Sequence, residues 1–113
     1  VLDSGGHALA LKRDERASIS RPEIAPGKAA GCLGMGFGGR ELARRAAAMP
    51  TFFTGLQSIF PKGMIPVPGG VLIRDAAGKL LGAVGVTGDT SDNDEICAVA
   101  GIVAAGLNAD TGA

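Results

Sequence analysis

The pattern of hydrophobic and polar positions is clearest in the second half of the chain. Residues 71–74 (VLIR) and 79–86 (KLLGAVGV) are rich in branched apolar side chains, and the turn-forming sequence Asp75-Ala76-Ala77-Gly78 separates them. Two such runs joined by a short segment that ends in glycine are typical of a β-hairpin. We therefore predict a strand, a turn and a second strand over residues 71–86.

A helix is predicted next, at about residues 92–107. Ser91 or Asp92 can cap its first turn, and Asp92 with Glu95 matches the spacing of a capping box. The apolar positions expected to face the core recur at helical spacing: Ile96, Val99, Ala100, Val103 and Leu107. The neighbouring face carries small side chains that would allow close packing on another element: Cys97, Gly101 and Ala104.

Two short strands are predicted at the start of the chain. Val1–Leu2 is typical of a strand end that enters the tight turn Asp3–Gly6 (DSGG). His7–Arg13 (HALALKR) then alternates in polarity, which predicts a second strand. Residues 14–22 are polar and loop-like, and the proline at their end suits the first turn of a helix.

A glycine-rich helical stretch is predicted from Glu23 to Met49. Three glycines interrupt it, each costing roughly 1 kcal/mol relative to Ala, and we expect another backbone to come close at them: Gly27, Gly31 and Gly34. A break is expected at Gly36–Gly39, before a second helix, Arg40–Met49, that Pro50 ends. Residues 50–60 predict one or two helical turns or an irregular cover.

Composition is typical of a folded globular chain, with 46% hydrophobic and 19% charged residues, so we expect a single domain over residues 1–113. The formal net charge of zero hides a polarity, because residues 1–62 carry nine Lys/Arg against five Asp/Glu and residues 63–113 carry two against six. This polarity could orient an anionic ligand or favour self-association. Ordinary solvated faces are the simpler interpretation.

The sequence carries no clear signal for membrane insertion or export. No apolar run approaches the ~20 residues that span a bilayer, and no signal peptide is visible. We expect no membrane and no nucleic-acid partner, and a cytoplasmic location unless a secretion signal preceded residue 1.

Cys32 and Cys97 lack CxxC or Cys/His spacing, so we expect both to be buried as small apolar residues.

Two glycine-containing motifs look like ligand loops. Residues 34–39 (GMGFGG) satisfy GxGxxG, but a dinucleotide site needs a preceding strand and an acidic residue about 20 positions later. Because the sequence supplies neither, a helix break is the better interpretation.

Residues 87–91 (TGDTS) precede a helix start, where free N–H groups attract anions. Acidic residues already crowd that end, which favours capping by the chain itself.

Two basic side chains are candidates for ligand contact. His7 is the only histidine, and its imidazole could ligate haem iron. The alternative is an exposed residue at the start of a strand. Lys28 could contact an anion such as a propionate, or it could be a solvated lysine. No Ser/His/Asp or Cys/His spacing indicates a catalytic set.

Five blocks, in order along the whole chain, carry a resemblance to a known family: Val1–Ala10 (VLDSGGHALA), Lys28–Ala30 (KAA), Pro68–Gly70 (PGG), Gly82–Gly88 (GAVGVTG) and Asp94–Glu95. Together they resemble the GlcG/HbpS-like family, also called haem-degrading, which includes the C-terminal domain of the PduO adenosyltransferases. Members begin with a helix and a fuller first strand, so the resemblance implies that an N-terminal helix is missing here.

The resemblance implies an α/β (α+β) sandwich, with a mostly antiparallel sheet flanked by helices. It also implies homo-oligomers, often octamers, and haem or a related tetrapyrrole as ligand. Haem degradation and redox sensing are activities attached to the family, and a corrinoid is a less favoured cofactor. A fold shared by several activities does not decide among them.

The leading hypothesis is therefore an oligomeric binding protein for haem or a related tetrapyrrole. By resemblance, His7 falls on the family's GGH position, and His7 or Thr87 is the expected iron ligand. Lys28, Thr87 and the acidic pair Asp94-Glu95 fall on recurrent family positions. The apolar pocket would be formed by Met35, Phe37 and neighbouring subunits, and basic residues such as Lys28 and Arg40 would meet the propionates.

Two alternatives stay open. The first is a small enzyme or accessory subunit in organic-acid catabolism, in which Asp94 and Glu95 act as acid/base groups near Thr87. The second is a structural assembly domain, in which the same two acids pair with arginines of other subunits.

Overall fold

A computed structural model describes residues 1–113, and its centre is the predicted hairpin. Strand β2 (Gly70–Arg74) pairs with β3 (Leu80–Gly85), and the turn between them ends at Gly78, whose positive φ favours glycine. Two short strands complete an antiparallel sheet of order β1-β3-β2-β4: β1 (Leu2–Asp3) and β4 (Asn108–Asp110). The hairpin prediction is confirmed.

Four helices flank the sheet: α1 (Arg21–Met35), α2 (Gly39–Ala48), α3 (Pro50–Leu56) and α4 (Ser91–Ala104). Alternate side chains of a strand point to opposite faces of the sheet. Leu72 therefore joins the core beneath α1, α2 and α3, whereas Val71 and Ile73 pack with Ala98 and Ile102 beneath α4. This arrangement confirms the α+β fold with helices on both faces of an antiparallel sheet.

Helix α1 lies very close to strand β3. A Cβ atom added at Gly85 would overlap the carbonyl oxygen of Ala25, so only glycine allows the two backbones to meet there. The glycines of α1 itself instead face side chains: an added Cβ would lie 3.2 Å from Ile65 at Gly27 and 3.3 Å from Met64 at Gly31. The predicted approach of another backbone at the helix glycines is therefore wrong, and the close backbone contact of α1 lies at the strand glycine Gly85.

The helix break between α1 and α2 is confirmed, with shifted boundaries. Helix α1 starts at Arg21, with Pro22 in its first turn, and ends at Met35, where Gly36 caps it with a φ of 79°. Helix α2 begins at Gly39. Only glycine fits at positions 38 and 39, because Cβ atoms there would overlap the backbones of Thr111 and Val67. The GMGFGG motif is thus a packed helix break and not a nucleotide loop.

The strand predicted for His7–Arg13 is wrong. Only an isolated bridge joins Leu2 to Ala8, and the Leu9 and Leu11 side chains are exposed. A strand needs a backbone partner along its length, and only residues 1–3 lie opposite this segment. The alternation of side chains was therefore insufficient to form a strand.

Helix α4 confirms the predicted element but buries a different face. Its core side is Asp94, Ala98 and Ile102, whereas Ile96 and Val103 are 65% and 60% exposed. Its N-cap is Thr90, whose hydroxyl accepts the Asn93 backbone N–H, and not Ser91 or Asp92. The predicted capping box is wrong. The predicted apolar stripe is confirmed only at Val99 and Leu107, which pack against the core, whereas Ile96, Ala100 and Val103 are exposed.

The two cysteines lie in different environments. Cys32 is fully buried between α1 and the sheet, as predicted, whereas Cys97 is exposed on α4, which contradicts its predicted burial. Both thiols are free, in agreement with the absence of a disulfide pattern. No helix is both long enough and apolar enough to cross a membrane.

Candidate functional site

His7 projects from the tight turn that follows β1. The Asp3 carboxylate organises this turn, because its Oδ1 accepts the backbone N–H groups of Gly5 and His7 at 2.9 and 3.0 Å. The same oxygen lies 3.4 Å from Nδ1 of His7. Asp3 thus fixes the backbone of His7, whereas the His7 side chain is 83% exposed and open to a ligand.

Asp3 is a site residue that the sequence interpretation missed. A carboxylate beside Nδ1 favours the proton on that nitrogen and leaves the lone pair of Nε2 free to bind a metal. The backbone hydrogen bond from His7, together with the one from Gly5, lowers the pKa of Asp3, so the carboxylate is charged near neutral pH. The sequence offered one indication of this contact, which is the i, i+4 spacing of Asp3 and His7.

A groove of about 580 Å³ opens beside the His7 imidazole, and we call it the His7 groove. Residues 4–8 form one wall, α1 forms the second, and the loop 60–63 forms the third. A neighbouring groove of about 550 Å³ shares Gly6, Ala8, Ala30, Lys62 and Gly63, so the two form one continuous cleft along α1. Small-molecule sites occupy roughly 300–1,000 Å³, and each of the two grooves falls within this range.

The walls of the His7 groove are mainly apolar, with one cation at the rim. Leu33 and Phe60 are partly buried against the main core, and Lys62 is exposed and takes part in no ion pair. The Phe60 ring lies against α1 at Gly34, where an added Cβ would be 2.5 Å from the ring. The groove therefore offers an imidazole, an apolar wall and an ammonium.

Lys28 lies inside the protein, so a solvated lysine at this position is wrong. Its ammonium donates to the Val86 carbonyl and to Oδ2 of Asp94, both at 3.0 Å, and its side chain is 4% exposed. The other Asp94 oxygen accepts the Asp89 backbone N–H at 3.0 Å. Lys28 and Asp94 are thus satisfied within the fold, and neither side chain faces the His7 groove.

Arg40 links α2 to the start of α4. Its guanidinium donates to both carboxylate oxygens of Glu95 and, at 2.7 Å, to Oδ1 of Asp92. Hydrogen bonds to Glu95 and Asp92 raise the pKa of Arg40, so the group stays charged. Within this chain Glu95 pairs with Arg40 and Asp94 pairs with Lys28, whereas pairing of these acids with arginines of other subunits stays a prediction.

The remaining predicted residues lie apart from His7. Met35 and Phe37 are partly buried at the end of α1, where the Arg45 guanidinium lies 4.0 Å from the centre of the Phe37 ring. The Thr87 hydroxyl accepts a hydrogen bond of 2.7 Å from Arg21, the first residue of α1. Within one chain, therefore, none of Met35, Phe37 and Thr87 lines the His7 groove.

No acid–base or metal centre is assembled from the protein alone. Asp94 is 2% exposed and Glu95 is held by Arg40, so neither carboxylate is free for proton transfer. No cluster of three or more His, Cys, Asp and Glu side chains is placed to hold a metal ion. Among the residues that line the His7 groove, His7 is the only one of the side-chain types that ligate haem iron.

Comparison with known proteins connects this chain to a family. A search of curated proteins finds no match. The chain is similar to a crystal structure of a PduOC–haem complex, with 25% identity and a TM-score of 0.81, over 99% of this chain and 78% of that one. It is also similar to the Klebsiella pneumoniae protein ORFY, of family DUF336, with 29% identity and a TM-score of 0.70, over 86% of this chain and 66% of that one.

The family whose sequence profile matches the chain is described as "Haem degrading protein HbpS-like". The match covers residues 1–103, which include the His7 turn, the hairpin and nearly all of α4. This protein therefore belongs to the HbpS-like haem-degrading family.

Proposed function

We propose that this protein binds haem in the His7 groove, with His7 as the iron ligand. The observation that carries the proposal is the exposed imidazole at the edge of an apolar cleft, backed by the Asp3 carboxylate. Family membership and the similarity to the PduOC–haem complex support haem as the ligand class. Neutral imidazole is a common axial ligand of haem iron.

The residues of the groove fit the chemistry of haem. Leu33, Phe60 and Pro61 offer apolar contact for the macrocycle, and Gly5 and Gly6 leave space beside the imidazole. The unpaired ammonium of Lys62 can pair with a propionate at the rim. Bound haem would supply a redox-active iron, while the protein would supply the ligand, the apolar wall and the charge.

Thr87 and Arg40 are weaker candidates than His7 and Lys62 in this geometry. The Thr87 hydroxyl is hydrogen-bonded to Arg21, and the Arg40 guanidinium is occupied by Glu95 and Asp92. A ligand at either position would have to replace contacts that the fold already makes. The proposal therefore assigns the iron to His7 and a propionate to Lys62.

Titration of the purified protein with haemin tests haem binding directly. We expect a shifted Soret band that saturates at one haem per chain. A parallel titration with cobalamin distinguishes a corrinoid, whose metal can also accept imidazole. Failure of haemin to produce a saturable shift would reject the proposal, and saturable binding of cobalamin alone would reassign the ligand. Degradation is measured separately, as loss of the Soret band and release of iron with ascorbate in air.

We also propose that the protein works as a homo-oligomer, with the exposed face of α4 as a contact. Ile96, Ala100 and Val103 recur at helical spacing on that face and are all exposed. An apolar stripe of this kind favours burial against a partner. Sedimentation should show an assembly, with an octamer as the size expected for the family. Ile96→Lys should shift it to smaller species, whereas Ala47→Lys, at an exposed position of α2, should not.

A further inference from the structure

One side chain, that of Gln57, closes the loop that carries Phe60 and Lys62. Gln57 follows the last residue of α3, and its amide nitrogen donates to the Met64 carbonyl at 2.8 Å. Its amide oxygen accepts the Met64 backbone N–H at 3.1 Å. Two residues that face each other in an antiparallel sheet exchange N–H and C=O groups in the same way, so one primary amide satisfies both backbone groups of Met64. We call residues 57–64 the clamped loop.

The exit of the clamped loop is fixed to α1. Met64 belongs to the main core and is 2% exposed. A Cβ atom at Gly31 would lie 3.3 Å from the Met64 side chain, so the two elements are in close contact. The next backbone N–H, that of Ile65, donates to the Gly27 carbonyl at 3.1 Å. Met64 is therefore held by the fold, and Gln57 ties the entry of the loop to it.

The turn between the two ends of the clamped loop has few contacts of its own. The Gly63 backbone N–H donates to the Phe60 carbonyl at 3.0 Å, and Gly63 has a φ of 79°. Lys62 is exposed and takes part in no ion pair. Gln57 is the only side chain that hydrogen-bonds to residues 59–64. The place of Lys62 at the His7 groove therefore depends on how firmly Gln57 holds this loop.

We propose that Gln57 is a positioning residue for the haem site, because its two bonds to Met64 hold Lys62 where the ammonium meets a propionate. The inference rests on the proposed function, which places the iron at His7 and a propionate at Lys62. His7 lies in a separate turn that Gln57 does not contact. Loss of the clamp should therefore loosen the contact between Lys62 and the propionate and leave the iron ligand unchanged.

The ratio of the affinities for haemin and for haemin dimethyl ester tests this role, because the ester has no free carboxylate for Lys62. Lys62→Gln should lower this ratio by up to about fivefold. Gln57→Met, which keeps the length of the side chain but removes its amide, should lower the ratio by a similar factor and keep the Soret position of the wild-type complex. The double variant Gln57→Met/Lys62→Gln should show no further fall, since both changes remove the same contact. A protein that is merely destabilised would bind both compounds more weakly and leave the ratio unchanged.

Hydrogen exchange of the Met64 amide measures the clamp in the absence of haem. This N–H donates to the Gln57 side chain, so Gln57→Met should speed its exchange by roughly tenfold. Ser58→Ala is the matched control, because the Ser58 hydroxyl donates back to the Gly55 carbonyl of α3 at 2.9 Å and not across the loop. It should leave the exchange rate and the affinity ratio within about twofold of wild type.

The role of Gln57 is overturned if Gln57→Met keeps the wild-type affinity ratio, if its Met64 amide exchanges as slowly as in wild type, or if Ser58→Ala lowers the ratio equally. The wild-type protein separates this failure from that of the proposed function. Wild type that binds no haemin rejects the proposed function, and the role of Gln57 in haem binding with it. Wild type that binds haemin, together with an unchanged ratio in Gln57→Met, overturns the role of Gln57 alone.

Discussion

The ammonium of Lys28 lies 3.0 Å from Oδ2 of Asp94, although 66 positions separate the two residues. Their side chains are only 4% and 3% exposed. The contact joins α1 to the first turn of α4, on opposite faces of the sheet, past the carbonyl of Val86 at the end of β3. It is therefore an internal link between the two helical layers.

Removing one partner of this pair should destabilise the protein strongly. Lys28→Met leaves the Asp94 carboxylate buried without its cation, which typically costs about 3–5 kcal/mol. Stability is measured as the free energy of unfolding in urea. The double variant Lys28→Met/Asp94→Asn removes both charges and should lose less than the sum of the two single variants.

Lys79→Met is the control for this experiment, because Lys79 is exposed and makes no ion pair. Its free energy of unfolding should stay within about 0.5 kcal/mol of wild type. Equal stability of Lys28→Met and Lys79→Met would show that the buried pair does not hold the layers together.

The contact between α1 and β3 makes Gly85 intolerant of a side chain. Gly85→Ala would force its Cβ into the Ala25 carbonyl, so α1 must shift on the sheet. We expect a clear loss of thermal stability. Gly101→Ala is the matched control, because the space around that helical glycine is open, and alanine there should stabilise α4 by up to about 1 kcal/mol. Unchanged stability of Gly85→Ala would contradict the close packing.

The two cysteines should differ in reactivity toward a thiol reagent. Cys97 is exposed on α4 and should react in the native protein, whereas Cys32 is fully buried and should react only after unfolding. Cys97→Ser should therefore leave the native protein unreactive. Rapid native labelling of the Cys97→Ser variant would mean that the core around Cys32 opens readily.

Burial of Cys32 also predicts a decline in stability at alkaline pH. Burial raises the pKa of the Cys32 thiol to about 12, with a smaller contribution from Asp110. The unfolded thiol ionises near pH 8.5–9, so the folded state keeps a proton that the unfolded state loses. The contribution is complete below about pH 8.5 and is lost as pH rises toward about 12. Urea unfolding between pH 7 and 10 should show a smaller decline in Cys32→Ala than in wild type.

Local patterns in the sequence predicted the hairpin, the helix break at Gly36–Gly39 and the position of α4, because neighbouring residues determine these features. Strand β4 was missed, since Asn108–Asp110 shows no apolar alternation and is held by pairing with β2. The face of α4 was mistaken because apolar residues occur on both sides of that helix. The buried contact with Lys28 is what turns the Asp94 side inward.

The candidate site was predictable only in part. His7 was identified from its uniqueness and from the glycine turn before it. Its groove wall could not be foreseen, because tertiary packing, and not spacing along the chain, brings Phe60 and Lys62 to the same groove as His7. Lys28, Asp94, Arg40 and Glu95 were identified as functional, but their charges are used within the fold.

Haem ligation by His7 is the central claim, and its most direct measurement is the absorption spectrum of haem bound to His7→Ala, with and without added imidazole. We predict that the variant loses the Soret shift of the wild type and binds haemin at least tenfold more weakly. Imidazole should then restore the wild-type spectrum by occupying the space left by the side chain. A His7→Ala variant with the wild-type spectrum and affinity would contradict the claim.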